Sequence, residues 1–194
     1  MTEDAPRPQL PLSLIHGPPL AAEPGQGAQT IGGYLREVAA RFGPAEALVQ
    51  RVGPVREAWS YDELLARSIA VAKALIGSGL GRDARVGILM TNRMEFLSCL
   101  FGTALAGGVP VALSTFSTPG ELAHLLGASQ VSLLLYEARV LKKDFGAMLR
   151  ELEPAIARAG VGALASFRFP YLRHLVALGG VPGSDDPAEP ECGG

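Results

Sequence analysis

The glycine-rich segment at residues 77–82 is the first candidate for chemistry, because closely spaced glycines let a backbone wrap around a phosphate. It reads Gly77-Ser78-Gly79-Leu80-Gly81-Arg82, so Arg82 stands where a dinucleotide fingerprint needs its third glycine. A phosphate loop follows a strand and opens a helix, whose first N–H groups then point at the anion. This segment instead follows a predicted helix and precedes a predicted strand. We interpret it as a helix end and a turn.

The side chains that could act as nucleophiles or metal ligands lack suitable neighbours in the sequence. Ser129 follows Gly127 at the spacing of a hydrolase elbow, but Val131 replaces the second glycine. Cys99 lies in a predicted buried helix, where an apolar setting makes a thiol inert. The three histidines are far apart in the sequence: His16, His124 and His174. We predict no catalytic residue, no cofactor-binding residue and no metal site in this chain.

The carboxyl ends of the predicted strands carry the polar side chains best placed to meet a small ligand. Ligands gather at these ends in open parallel sheets. The candidates are Asn92, Arg93, Ser114 and Thr115. Arg93 and the hydroxyl groups could contact an anion or a carbonyl group. The same residue types also cap helices, so a purely structural role is the alternative.

These candidates are positioned by elements that the hydrophobic pattern predicts. Ile31, Leu35, Val38 and Phe42 recur at helical spacing, and Gly53-Pro54 between two short apolar runs predicts a hairpin. Three helix starts pair a capping residue with an acid three residues later: Ser60 with Glu63, Asn92 with Glu95, and Thr118 with Glu121. Four apolar strands are predicted at residues 85–90, 109–113, 131–136 and 172–178.

The alternation of apolar strands with helices predicts the fold class. Strands that are apolar throughout are buried on both faces, and helical crossovers join them in parallel. We therefore expect an α/β fold: a layered domain with a mostly parallel sheet flanked by helices, over residues 30–180. The lead-in at 1–29 and the acidic tail at 181–194 are rich in Pro and Gly, and we predict that both are extended or disordered.

The overall composition excludes several classes of protein. The chain has 194 residues, and its formal net charge of -2 gives no footprint for nucleic acid. The basic run Arg139, Lys142 and Lys143 is interpreted as a solvated helix face. Two cysteines form no disulfide framework, which favours a reducing, cytoplasmic compartment.

One long uncharged stretch, residues 96–120, has the length of a membrane helix. It is interrupted by Gly107-Gly108-Val109-Pro110, and proline cannot continue a helix. We therefore predict a buried helix followed by a buried strand, and no membrane span.

The order of the segments resembles the N-terminal part of the AMP-forming acyl-CoA synthetases, in the adenylate-forming ligase superfamily. The fatty-acyl-CoA synthetase branch is the most similar. Five segments carry the resemblance in the right order and spacing: Trp59-Ser60-Tyr61-Asp62-Glu63-Leu64, Gly81–Leu89, Asn92-Arg93-Met94-Glu95-Phe96, Leu105–Val111 and Thr118–Leu122.

The resemblance implies a reaction whose chemical groups this sequence lacks. In that family a carboxylic acid and ATP, with Mg, give an acyl-adenylate, and coenzyme A then displaces AMP. The phosphate loop ending in Pro-Lys-Gly, the Tyr-x-x-Asp segment and the C-terminal lysine region of the family are absent from this sequence. We therefore expect no adenylation by this chain alone, and no binding of ATP, Mg or CoA by it alone.

Three readings follow from this departure. The first is an incomplete synthetase: a fragment, a truncated gene product or half of a split enzyme, with the remainder of a synthetase as its partner. The second is a non-catalytic binding or regulatory module that docks on a complete synthetase or a carrier protein. The third is binding of a small ligand at the strand ends without turnover. An apolar face that lacks its partner would also favour self-association.

Overall fold

A computed structural model describes residues 30–52, 54–160 and 162–178, together with residues 19 and 27. The tail predicted at 181–194 lies outside the described residues, as does the lead-in at 1–29 apart from those two positions. The boundaries at 30 and 180 therefore stay predictions.

The described chain alternates helices and strands after an N-terminal helix and hairpin. In chain order the elements are α1 (Ile31–Phe42), β1 (Glu46–Val52), β2 (Val55–Ser60), α2 (Tyr61–Gly77), β3 (Arg85–Leu89), α3 (Met94–Leu105), β4 (Val109–Ala112), α4 (Pro119–Ala128), β5 (Leu133–Glu137), β6 (Arg139–Val140), β7 (Lys143–Asp144), α5 (Phe145–Leu152), a 3-10 helix (Pro154–Ala157) and β8 (His174–Leu178).

Two of the predicted helix starts are confirmed as complete capping boxes. At α2, Glu63 N donates to Ser60 Oγ at 3.2 Å and Ser60 N donates to Glu63 Oε2 at 2.8 Å. At α4, Thr118 and Glu121 exchange the same pair of bonds. Each box satisfies two N–H groups that have no partner inside the helix.

The predicted cap of α3 by Asn92 is wrong. Arg93 is the N-cap residue, and its side chain makes no capping bond. The free N–H of Met94 instead donates to Gln50 Oε1 of the β1–β2 hairpin at 3.3 Å. Gln50, which is distant in sequence, therefore bonds the first turn of α3, where the local sequence pattern predicted that Asn92 would.

The four longer strands after α2 form one parallel sheet in the order β4-β3-β5-β8. This confirms the predicted α/β fold class. β3 lies between β4 and β5, and Ile88 pairs with Ala112 on one side and with Leu135 on the other. The chain adds β4 on one side of β3 and β5 on the other side. The carboxyl ends of β3 and β5 therefore flank the point where the direction of winding reverses, which is where ligands bind in such sheets.

The sheet is buried on both faces along β3 and β5. One face packs its core with α2 and α3 through Val86, Ile88, Leu133 and Leu135. The other face packs with α4 and α5 through residues that include Leu134, which is 0% exposed. The uncharged stretch forms α3 and β4. The predicted burial of the strand is wrong: β4 lies at the edge of the sheet, where Val109 and Ala112 are exposed. Among the residues that the structure describes, no helix combines the length and apolar character needed to cross a membrane.

The contact between α2 and α3 gives a test of the packing. A Cβ atom on Gly102 would lie 2.6 Å from Val71 Cβ and 2.8 Å from Ser68 O. We expect Gly102→Ala to lower the free energy of unfolding by about 1–3 kcal/mol, because the two helices would have to move apart.

Gly127→Ala is the matched control, because a Cβ atom on that helical residue meets nothing within 4 Å. It should raise stability by about 0.5–1 kcal/mol through helix propensity alone. Urea denaturation followed by circular dichroism measures both changes. Equal effects of the two substitutions would contradict the close contact.

Candidate functional site

The four candidate residues follow two neighbouring strands, Asn92 and Arg93 after β3 and Ser114 and Thr115 after β4. Asn92 and Ser114 are exposed, whereas Arg93 and Thr115 are half-buried. The structure therefore brings all four to one end of the sheet. It also brings there Glu137, the last residue of β5.

Glu137 joins the carboxyl ends of β3 and β5. Its Oε2 accepts from Thr91 N at 3.0 Å and from Thr91 Oγ1 at 2.8 Å. Its Oε1 lies 3.3 Å from Arg93 Nη1. One carboxylate thus fixes the backbone after β3 and the direction of the Arg93 side chain. Sequence reasoning did not select Glu137 as a site residue, although a carboxylate at the end of a buried strand was a visible signal.

Arg93 is held by a second carboxylate as well. Arg93 Nε donates to Glu95 Oε2 at 2.8 Å, and Nη2 donates to Glu95 Oε1 at 3.1 Å. This bidentate pair raises the pKa of Arg93 and lowers the pKa of Glu95, with the hydrogen bond as the largest cause of each shift. Arg93 would therefore have to exchange one of its carboxylates to bind an anion.

The loop after β4 is fixed by a lysine that sequence reasoning assigned to solvent. Lys143 Nζ donates to the carbonyl oxygens of Thr115 and Ser117, at 3.0 Å each. Ser114 Oγ accepts from Phe116 N at 3.2 Å, a local turn contact. The prediction of a solvated helix face is wrong for Lys143, which is half-buried in β7, because the chain forms the short β6–β7 hairpin there.

A groove of about 790 Å³ lies over these strand ends. We call it the strand-end groove. Its lining residues are Thr91, Thr115, Phe116, Glu137 and the five residues from Arg139 to Lys143. Of the four candidates only Thr115 lines it, and Ser114 borders a shallower depression beside His124. Phe116 and Leu141 are 86% and 96% exposed, so the groove has apolar side chains that nothing in the described chain covers.

The charged groups at this end of the sheet hold the backbone in place. Glu137 and Arg93 are engaged with each other, and Lys143 is engaged with two carbonyl groups. Burial raises the pKa of Cys99 to about 11, so its thiol stays protonated at neutral pH. In the described part of the chain, no group of three or more His, Cys, Asp or Glu could hold a metal ion.

Comparison with known proteins agrees with this fold. The model of the AMP-binding enzyme family matches residues 35–170, and the chain belongs to that family. Among its relatives, acyl-CoA ligase SID4 of Ajellomyces capsulatus is 28% identical over 170 residues. Acyl-CoA ligase sidI of Aspergillus fumigatus is 30% identical over 156 residues. These matches cover 87% and 80% of this chain, but only 26% and 25% of the relatives.

Solved structures give the same picture. The inhibitor-bound N-terminal domain of FACL13 from Mycobacterium tuberculosis is similar with a TM-score of 0.60 and 25% identity. That match covers 86% of this chain and 39% of the other. The chain thus spans about a quarter of the length of the curated relatives it matches. The predicted resemblance to the N-terminal part of an AMP-forming acyl-CoA synthetase is confirmed.

Replacing Glu137 tests whether the strand ends depend on its carboxylate. We expect Glu137→Gln to lower the free energy of unfolding by about 1–3 kcal/mol, because an amide cannot pair with Arg93 while also accepting both bonds from Thr91. Glu57→Gln on the exposed β2 is the control, and it should change stability by less than about 0.5 kcal/mol. Similar losses of unfolding free energy in the two variants would show that the contacts of Glu137 with Thr91 and Arg93 do not stabilise the fold.

The Arg93–Glu95 pair predicts a dependence of stability on pH. Because folding lowers the pKa of Glu95, the pair stabilises the protein above the ordinary pKa of 4.5, and this stabilisation is lost as the pH falls through the lowered pKa. The difference in unfolding free energy between wild type and Glu95→Gln should therefore be largest near neutral pH and shrink in acid. Urea denaturation at a series of pH values measures it, and a constant difference would contradict the pairing.

Proposed function

We propose that this chain is the N-terminal scaffold of an AMP-forming acyl-CoA ligase, and that its strand-end groove packs against the polypeptide that carries the nucleotide-binding loop. The full reaction would activate a carboxylic acid with ATP to acyl-AMP and pyrophosphate, then transfer the acyl group to coenzyme A. The match to the AMP-binding enzyme family supports the reaction class. The geometry of the strand ends supports the role of scaffold.

The charged groups at these strand ends do not fit ATP, Mg or CoA by themselves. A triphosphate needs several donors that converge on it. Here Arg93 is bound by two carboxylates and Lys143 by two carbonyl groups. Arg139 is exposed and faces Asp144 at 3.8 Å. We therefore derive no catalytic step from this chain alone.

The observation that carries the docking proposal is the exposure of Phe116 and Leu141. Each is almost fully exposed, and both line the same groove above a floor that Glu137 and Lys143 hold fixed. Exposed apolar groups of this kind mark interaction surfaces. The remainder of a synthetase is the proposed occupant, and self-association through the same groove is expected when that polypeptide is missing.

The first measurement is release of pyrophosphate by the purified 194-residue chain. With ATP, Mg²⁺ and saturated acids of increasing length we expect no release above the uncatalysed rate, because Arg93 and Lys143 at the strand ends are already bonded within the chain. Release with any of these acids would contradict the role of scaffold.

The second measurement adds the polypeptide encoded directly downstream, which should contain the Ser/Thr- and Gly-rich loop ending in Pro-Lys-Gly. Mixing the two should restore pyrophosphate release. Phe116→Asp and Leu141→Asp should each weaken the association by about tenfold or more, since a charge would be buried in an apolar contact. Ile76→Asp is the control, because Ile76 is 58% exposed and lies outside the groove. A downstream product without that loop would contradict the proposal.

A second candidate function uses the same exposed groove. The chain could dock, without taking part in catalysis, on a complete synthetase or a carrier protein. The two functions differ in one readout: a docking module binds a synthetase that is already active, whereas a scaffold restores activity that was missing. A cytoplasmic location belongs to either proposal, and the free, buried thiol of Cys99 is consistent with a reducing compartment.

A further inference from the structure

A second cavity, of about 430 Å³, lies at the outer edge of β8. Residues of α5 and of the 3-10 helix, together with residues 159, 160, 162 and 164, form its other walls. The cavity shares no lining residue with the strand-end groove. β8 ends the sheet order, and its residues 174 and 178 bond towards β5 through Ser132 O and Ala138 N. In a parallel pair of strands, every second residue hydrogen-bonds to the neighbouring strand. Residue 174 bonds towards β5, so the N–H and C=O groups of Leu175 point to the open edge of the sheet.

Two arginines and a histidine line this cavity. Arg150 of α5 and Arg173 and His174 at the start of β8 line it. Among the described residues, no carboxylate forms an ion pair with Arg150 or Arg173. The one bond that Arg173 donates goes to Leu172 O, at 3.0 Å. Arginine is the side chain best suited to bind carboxylate or phosphate in a planar, two-point contact.

The acid nearby is Asp144, and its two oxygens are used elsewhere. Its Oδ1 accepts from Ala147 N at 2.7 Å, as the N-cap of α5. Its Oδ2 faces Arg139 Nε at 3.8 Å. Asp144 forms no ion pair with Arg150, although both side chains approach Gly146.

Tyr136 presents to the cavity a hydroxyl group that bonds to no described residue. The side chain is only 2% exposed and lines the cavity, and its hydroxyl makes no hydrogen bond to any described residue. Burial raises the pKa of Tyr136, so the hydroxyl is protonated at neutral pH and can donate. Among the described residues, no fully buried side-chain polar atom lacks a partner. The Tyr136 hydroxyl therefore opens into the cavity, where a bound group can accept its proton.

The glycines around the cavity leave room at the charged end. A Cβ atom on Gly146 would lie 3.3 Å from Asp144 Oδ1, 3.4 Å from Arg150 Nη1 and 3.8 Å from the Tyr136 hydroxyl. The two donors therefore approach the same side of α5, next to the Asp144 oxygen that caps the helix. Gly162 has φ of 73°, and a Cβ atom there would lie 2.7 Å from His174 Cε1. Its backbone can therefore approach the imidazole as a side chain could not.

From this convergence we propose that the cavity at the edge of β8 binds a small organic oxyanion, a carboxylate or phosphate group on a short apolar body. Arg150, Arg173 and the Tyr136 hydroxyl hold the anionic group, and Ile156 and Leu164 contact the apolar body. This site is independent of the proposed function, since it uses neither the strand-end groove nor a nucleotide-binding partner.

Isothermal titration calorimetry of the full chain tests the site with three probes of equal length: hexanoate, hexyl phosphate and hexylammonium. We expect saturable one-to-one binding of at least one of the two anions and none of the cation. Binding of both anions defines an oxyanion site, and binding of one alone identifies the head group. No saturable binding of either anion, or equal binding of hexylammonium, would overturn the proposal.

Two substitutions assign the binding to this cavity. Arg150→Met should weaken binding of the anion about 10- to 100-fold, the expected loss for a charged hydrogen bond. Arg158→Met is the matched control, because Arg158 is an exposed arginine after the 3-10 helix and does not line the cavity. Its affinity should match wild type, and equal losses in the two variants would mean that the anion binds to the general surface charge.

Tyr136→Phe separates binding from folding. Because the hydroxyl has no partner in the described chain, its removal should leave the thermal midpoint unchanged or raised while it weakens anion binding severalfold. The side-chain ¹⁵N–¹H resonance of Arg150 should also shift on titration of the anion in wild type. A lowered midpoint with unaltered affinity would show that the hydroxyl serves the core, and would overturn the assignment.

Discussion

Where two neighbouring parallel strands end, the segments that follow them can run in different directions. In this protein the carboxylate of Glu137 joins the ends of β3 and β5. β3 and β5 are neighbours in the sheet, yet the chain after β3 turns into α3 and the chain after β5 turns into a small hairpin. Glu137 receives two hydrogen bonds from Thr91 and faces Arg93. This contact sets the direction of Arg93 and fixes one side of the floor of the strand-end groove.

What the sequence predicted well is what depends on near neighbours. Ser60 and Glu63 are three residues apart, as are Thr118 and Glu121, so their capping boxes form whatever the rest of the chain does. The apolar runs at β3 and β5 likewise predicted strands buried on both faces. The α/β class follows from that local pattern, because few arrangements bury such strands and helices together.

What the sequence could not predict depends on residues far apart in the chain. Thr91 and Glu137 meet only because β5 passes beside β3, and the strand order was not readable. Asn92 had the right type to cap α3, but Gln50 of the hairpin takes that place. The charge of Lys143 suggested solvent, yet it holds the loop after β4 through Thr115 and Ser117. A local sequence pattern shows which residues can form a hydrogen bond, but it does not show which distant residue they will bond.

The single bond from Met94 N to Gln50 Oε1 has a consequence for how motion passes through the molecule. The β1–β2 hairpin pairs only within itself and does not belong to the parallel sheet, but its side chain anchors the first turn of α3. Arg93, the residue directly before that turn, reaches towards Glu137. If the hairpin tilted, Gln50 would pull the first turn of α3 away from the strand ends. The contacts of Arg93 with Glu95 and Glu137 would then change as well.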